Sequence, residues 1–504
     1  MNRFRALAAI LCIAFFADAV LSPKCAASEK VAVGSKVFTE SVILGELATQ
    51  LGRNEGVDTI HRSQLGGTRV LWNALLAGQI DAYPEYTGTI AQELLPGAPS
   101  EESGLRAQLA KHGIGMTHSL GFNDTYAIGV PEALAARLNI STIGDLRAHP
   151  ELRFGFSNEF LDRKDGWPAL HSAYDLPQTH VTGLDHDLAY RAIASGKIDV
   201  MDLYSTEPEI AFYHLRALDD GEKHVFPEYK AVYLYRLDLN QRAPAFVKAI
   251  CRLEGAIDAS RMIAMNGACK LDKMPESRVA ADFLLKQLQI KSESREPDTL
   301  MVLLMRTREH LLLVGISLFA SIIVAVPLGV MAFAWPRLGH VILVAIAAIY
   351  TIPALALLVF MIPVFGIGTW PAIAALFLYG LLPIVRNTHT GLSNISPGLR
   401  ESAIVLGLSP MARLLRIELP MAAPSILAGI KTTAVINVGT ATIGALIGAG
   451  GYGQPILTGI RLANNSLILS GAVPAAILAL LMQSGFGLTE RLVLPRGLRL
   501  KVRS

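Results

Sequence analysis

The stretch GQIDAYPEYTGT, from Gly78 to Thr89, has a counterpart in GKIDVMDLYSTE, from Gly196 to Glu207. In both, a Gly and a polar residue precede Ile-Asp, and a tyrosine falls eight positions after the Gly, at Tyr86 and Tyr204, with Thr or Ser next. The flanking sequence says what kind of corner this is. TRVLWNALLAG has apolar residues at helical spacing and stops at Gly78, whereas KVAVGS and GVDTIHR are short β-branched runs. TESVILGELATQL reads as a helix with Thr39 as its cap. Helices alternating with strands predict parallel α/β layers, whose ligands sit beyond the carboxyl ends of the strands. A tyrosine emerging there from each copy predicts two lobes that share one cleft.

The rest of the chain is of a different kind. At 504 residues it is too long for one domain, and 52% hydrophobic with a mean hydropathy of +0.40 is too apolar for a wholly soluble protein. A net charge of +3 argues against a nucleic-acid partner. The chain is mixed and polar up to about Arg308, apart from its start, and then apolar from Leu311 to about Leu488. Arg3 and Arg5, an apolar run from Ala6 to Phe16 and small residues by Ala27 predict a signal peptide over 1–27. Ser22-Pro23-Lys24 is a poor approach to lipidation at Cys25. Export would leave Cys251 and Cys269, either one disulfide or two separate buried thiols, and too few ligands for a metal site.

Apolar segments at about 311–334, 341–362, 371–385, 425–447 and 467–488 predict five membrane helices, the third of them short. With the polar half outside, the inner loops carry Arg337 and then Arg386, Arg400, Arg413 and Arg416. The tail, 491–504, adds Arg491, Arg496, Arg499, Lys501 and Arg503, while the outer loops carry only Arg461. That bias agrees with the positive-inside rule. Lys431 is expected to snorkel near the inner end of the fourth helix, and Asn437 and Thr440 face either a pathway or a neighbouring helix.

Within the inner loop 386–424 stands ESAIVLGLSPMARLLRIELP. Glu401, Ala403, Gly407, Ile417, Leu419 and Pro420 resemble the coupling loop of ABC importer permeases, with Ser402 in place of its middle Ala. The residues themselves predict a helix from Pro397, a turn at Gly407 and a second helix ended by Pro420. No phosphate-binding loop accompanies them. SGKID lacks the hydroxyl after its Lys, and GAGGYGQP lacks the Lys and reads as a tight outer loop rather than a cofactor site. A separate cytosolic ABC ATPase is therefore the expected partner, and no cofactor is expected.

VGSKVFTESVILGEL, LGGTRVLWNALLAGQIDAYPEYTGT, FNDTYAIGV, NEFLDRKDGWPAL and DLYSTEPEI together resemble the substrate-binding proteins of osmoprotectant ABC importers, which take glycine betaine, choline and carnitine. The resemblance spans most of residues 30–290 and implies a bilobed α/β clamp, here fused to an all-α permease. It implies that Tyr86, Tyr126, Tyr204 and Tyr229 surround a quaternary ammonium, with Lys36, Thr89 and Arg163 toward a carboxylate and the Asp124 backbone nearby. A trimethylammonium has no N–H to donate, so aromatic faces hold it, each worth up to about 2 kcal/mol when desolvated. Three or four rings with a charge-assisted contact reach about −8 kcal/mol, a micromolar affinity. Two departures stand out: Ser41 where Gln is common, and a longer DDGEKHVFPEY before Tyr229. A bulkier betaine such as ergothioneine fits the same class.

The expected domains are then 28–290 for the clamp, 291–308 for a linker and 309–490 for the permease, which would work as a homodimer. KSESREPDTL, from Lys291 to Leu300, reads as the tether. A ligand-gated receptor would need a signalling domain after its last span. An ion-coupled transporter would need buried carboxylates, and the expected spans contain no Asp or Glu. No enzyme constellation assembles, and His118, His171, His180 and His186 read as scattered surface residues.

Overall fold

The computed structural model describes residues 30–99, 101–221, 223–292, 299–462 and 464–493. The expected signal segment, the middle of the tether and the end of the basic tail lie outside these residues.

Among the described residues, ten strands build two lobes. In lobe I, β1 (Val31–Gly34), β2 (Thr59–Arg62), β3 (Ala82–Tyr86), β4 (Ile114–Met116) and β10 (Ala231–Arg236) form one sheet in the order β2-β1-β3-β10-β4. In lobe II, β5 (Tyr126–Pro131), β8 (Met201–Tyr204) and β9 (Leu215–Leu218) form a sheet, beside the pair β6 (Phe154–Ser157) and β7 (Val181–Leu184). A parallel bridge from Phe154 to Val200 sets β6 next to the run into β8, so lobe II repeats the order of lobe I as β7-β6-β8-β5-β9.

The layers are not wholly parallel, as the alternating pattern predicts. β10 runs antiparallel to β3 and β4, and β5 antiparallel to β8 and β9. Each is the strand by which the chain re-enters one lobe from the other, so it arrives from the opposite direction. Val31, Val33, Leu44, Leu47, Tyr233 and Phe246 anchor the core of lobe I, and Ile128, Phe154, Phe156 and Phe160 that of lobe II. Thr39 is the first residue of the helix Thr39–Asn54 rather than its cap: the extended residue before it is Phe38, and the Thr39 hydroxyl accepts from Arg461 instead. Cys251 and Cys269 are free thiols, and burial pushes the Cys251 thiol up to about 11.

Both halves of the repeated corner fold alike. Gly78 and Gly196 take φ +67° and +66°, a left-handed turn that costs a Gly least and closes the preceding helix. Asp81 then accepts from the Ala32 N–H at 2.7 Å, and Asp199 from the Arg153 N–H at 2.9 Å, tying each corner to the strand beside it.

The apolar half is helical. Thr299–Ala334, Thr369–Ser393, Pro410–Ile447 and Asn465–Glu490 are each long and apolar enough to cross a membrane. The expected second span is instead two helices, Pro336–Thr351 and Ala354–Phe365, bent by 99°. Pro353 sits at the break and forbids a continuous helix there. The third span is not short: it runs on through Arg386 and Asn387 to Ser393. Asn437 is fully buried and donates to Ser317 Oγ at 3.2 Å, a bond between helices.

The inner loop forms a knuckle. A helix spans Pro397–Val405, and Gly407 turns the chain at φ +74°. Pro420 does not end the second helix, as its ring alone predicts. A widened helical turn over Leu414–Glu418 precedes it and makes room for the ring, so Pro420 lies within the continuous helical run Pro410–Ile447. Glu418 is buried between Arg400 at 3.3 Å and Arg413 at 3.2 Å and ties the two arms together.

Candidate functional site

Each corner tyrosine ends its strand, where side chains leave the sheet toward the cleft. Tyr86 closes β3 opposite Ala231 of β10, and Tyr204 closes β8 opposite Tyr126 of β5. The residue after each tyrosine then holds the re-entrant strand. Thr87 donates its backbone N–H to Lys230 O at 3.0 Å, and its Oγ1 accepts from Lys230 N at 3.0 Å. Ser205 likewise donates N–H to Thr125 O at 3.0 Å, and its Oγ accepts from Thr125 N at 3.1 Å. The corner is repeated because each lobe uses it twice, to aim a ring and to fasten the incoming strand.

The eight residues singled out from the sequence, Lys36, Tyr86, Thr89, Asp124, Tyr126, Arg163, Tyr204 and Tyr229, all line one cavity of about 70 Å³ between the lobes. A water needs about 10–15 Å³ of such space, so the cavity is a real void. Tyr126 is the centre of the aromatic group, 5.1 Å from Tyr204 at a tilt of 36° and 5.6 Å from Tyr229 edge to face. Phe38 packs on Tyr204 at 5.8 Å. Ser41, where the sequence departs from the common Gln, accepts from the Lys36 N–H at 2.9 Å and so braces the loop carrying Lys36. Despite the longer segment before it, Tyr229 reaches the cavity and donates to Asp165 at 2.5 Å.

The cations are not bare. Lys36 Nζ lies 2.6 Å from the fully buried Glu85. Arg163 forks onto Asp165 at 2.8 and 2.5 Å and reaches Glu93 of lobe I at 3.1 Å. Burial works against its charge, but Tyr126 and Asp165 more than offset that and raise its pKa further.

Sequence reasoning missed a set of buried polar residues. Glu40 accepts from Tyr86 Oη at 2.5 Å, from Thr206 Oγ1 of lobe II at 2.5 Å and from Asn266 at 3.0 Å. Thr206 Oγ1 also lies 2.8 Å from Asp124, so two carboxylates meet at one hydroxyl. Burial first, then mutual repulsion, pushes Asp124 well above the usual carboxylate range and raises Glu40, the latter through Glu207. Glu159 is raised by burial as well.

Beside them Lys270 of lobe I enters an acidic socket of lobe II, 3.1 Å from Asp187, 3.3 Å from Glu207 and 2.9 Å from Glu209. His186 is not a surface residue: it is buried, bonded to Glu207 at 2.9 Å, and packed 4.7 Å from Tyr204. Burial opposes its charge, but Glu207 and Asp202 prevail and raise its pKa well above 6.5. Burial would raise Glu207, yet His186 and Lys270 hold it down to about 2. A signal for this set was present: Thr39-Glu40 and Thr206-Glu207 are the same dipeptide in the two lobes, facing each other across the cleft.

The arrangement suits enclosing a small molecule: rings and paired charges line one cavity, and the two lobes are in contact through Thr206, Lys270 and Arg163. Among the described residues, no group of three His, Cys, Asp or Glu is placed to hold a metal ion.

Residues 29–286 match the substrate binding domain of ABC-type glycine betaine transport system, and residues 317–494 the binding-protein-dependent transport system inner membrane component. The choline transport system permease protein OpuBB of Bacillus subtilis (strain 168) is 41% identical over 197 residues, 39% of this chain and 91% of that protein. The osmoprotectant import permease protein OsmW of Salmonella typhimurium is 41% identical over 198 residues, 38% of this chain and 92% of its own length. A crystal structure of a glycine betaine/carnitine/choline ABC transporter protein aligns at 26% identity and a TM-score of 0.45, over 51% of this chain and 98% of its own. The chain is thus a membrane protein of an ABC import system, a family that works with an ABC ATPase. It belongs to the family of substrate binding domains of ABC-type glycine betaine transport systems, joined in one polypeptide to a binding-protein-dependent inner membrane component.

Proposed function

We propose that this chain is both receptor and pore of an importer for quaternary ammonium solutes. The clamp stands outside the cytoplasmic membrane, the permease half pairs with a second copy, and ATP is hydrolysed by a separate cytosolic subunit rather than by this chain. The observation that carries the ligand class is the meeting of Tyr86, Tyr126, Tyr204 and Tyr229 at one cavity between the lobes. Faces of several buried rings suit a cation that cannot donate hydrogen bonds. The relatives, named for choline and osmoprotectant transport, support the same class.

The charges favour one member of that class. Glu85 and Asp165 already occupy Lys36 and Arg163, and a ligand carboxylate would have to compete with both. Glu40 and Asp124, both raised, face the same cavity with no ion-pair partner among the described residues, an acidity that a cation relieves. A ligand with net positive charge, choline, is therefore favoured over glycine betaine or carnitine. Contacts of lobe I with Arg461, Thr458 and Ile367 support the outside placement, since these lie in the loops that the basic-residue bias assigns to that side. The exposed turn around Val405 and Leu406 is where the ATPase would dock.

Calorimetric titration of the full chain in detergent tests this, using choline, glycine betaine, carnitine and ergothioneine, each repeated on Tyr86→Ala and Arg163→Ala. Choline binding best, and weakened by about tenfold or more in Tyr86→Ala, is the expected result. A carboxylated betaine binding best and depending on Arg163 would keep the cage and reverse the charge preference. No binding of any quaternary amine would sink the ligand class.

A further inference from the structure

Arg461 is the one basic residue in the expected outer loops, and neither the cage nor the inner-loop bias explains it. It ends the helix Gly453–Arg461 of the permease half, where a cation is stabilised by the helix dipole, yet it is only 8% exposed. Its guanidinium leaves the permease and enters lobe I. Nη1 donates to Thr39 Oγ1 at 2.7 Å, and Nη2 pairs with Glu276 at the start of the helix Glu276–Leu288. The contacts around it are polar and specific. Gln64 donates to Thr458 Oγ1 at 2.8 Å, Lys273 Nζ to Leu462 O at 2.5 Å, and Ile367 N to Gln79 Oε1 at 3.1 Å. The glycine-rich turn belongs to this surface: Gly448, at φ +75°, lies so close that an added Cβ would overlap Leu65 of the clamp.

Thr39 has two neighbours of consequence. One is Arg461; the other, next along the helix, is Glu40, which holds Tyr86 of lobe I and Thr206 of lobe II. Closing lobe II on Glu40 thus loads the same helix terminus that Arg461 grips. Every clamp residue in these outer contacts comes from lobe I, so the surface holds one lobe and leaves the other free to move.

We infer that Arg461, with the Gly448 turn, is the permease's receiving surface for lobe I, and that it acts as a positioning residue coupling clamp closure to the permease through Thr39. Its coupling role rests on the reading of the cavity as a ligand site. The surface itself does not. If docking at Arg461 favours the closed clamp, ligand binding and docking must strengthen each other by the same factor.

The test uses the full chain in nanodiscs with choline as probe. Arg461→Ala and Glu276→Gln should each weaken choline binding by about fivefold, the low end of measured couplings, with Arg461→Lys in between. Separately, Gln64→Cys with Thr458→Cys, in a background with the native cysteines replaced, should be joined by a short bifunctional thiol reagent, faster when choline is present. An unchanged choline affinity in Arg461→Ala, with a cross-linking rate indifferent to choline, overturns the coupling. Failure to cross-link in any condition overturns the surface. Cross-linking in a chain that binds no quaternary amine supports the surface while rejecting the ligand class.

Discussion

Tyr86 donates its hydroxyl hydrogen to Glu40 at 2.5 Å, so the cage ring of lobe I is fastened to the carboxylate that receives Thr206 from lobe II. The ring and the hydroxyl therefore have separate jobs. Tyr86→Ala removes the ring face and should weaken choline binding by tenfold or more, in line with about 2 kcal/mol for a desolvated cation–π contact. Tyr86→Phe keeps the face and should lose less. Equal losses in titration would mean that the ring does not touch the ligand.

Glu40 and Asp124 share Thr206 and are both raised, so a bound cation should favour their ionised forms and expel protons. Affinity for choline should then rise with pH across their raised values and fall toward the ordinary carboxylate range, where both acids are protonated. Glu159, Glu207, His186 and Lys270 face the same cavity and set the background charge. Calorimetry in two buffers of different ionisation enthalpy, between about pH 5 and about pH 8, reads the protons released. No release and a flat affinity would show that the acids do not change protonation on binding and would sink this coupling.

Lys270 pairs with three acids of the opposite lobe, and Lys270→Met would take the cation from the buried Glu209 and from Asp187 and leave Glu207 to His186. Removing one partner of a buried charge set costs about 3–5 kcal/mol, so denaturant or thermal unfolding of the clamp should shift accordingly. The pH window follows from its neighbours. His186 is raised from 6.5, so its contribution is complete below that value and is lost as pH climbs through the raised one. Glu207 is lowered from 4.5 to about 2, so its contribution is complete above 4.5 and is lost as pH falls toward 2. The wild-type clamp should be most resistant between the two, and Lys270→Met should flatten the acid side of that profile.

On the inner side, Val405 and Leu406 are 86% and 78% exposed at the tip of the knuckle, a cost in water that contact with a partner removes. Leu406→Asp should abolish transport-coupled ATP hydrolysis while leaving choline binding within twofold of wild type, since the tip belongs to the permease half and lies outside the cage. Loss of ligand binding in the same variant would instead indicate general misfolding.

The two-part architecture was legible because its signals are local. Helical spacing, β-branched runs and each copy of the Gly-x-Ile-Asp corner lie within about a dozen residues, and the apolar segments announce themselves by length. Tyr86 and Tyr204 were legible for the same reason, each following its corner at a fixed interval, whereas Tyr126 and Tyr229 came only from the family resemblance. The 99° bend at Pro353 was not legible, because the apolar run 341–362 reads as one continuous span. What sequence alone could not decide was the fate of the charges. Whether Lys36 faces a ligand or Glu85, whether His186 lies on the surface or beneath Glu207, and whether Arg461 meets water or Thr39 depends on groups that arrive from far along the chain. Burial and pairing of a charge are set by everything packed around it, and only the closed tertiary structure brings those surroundings together.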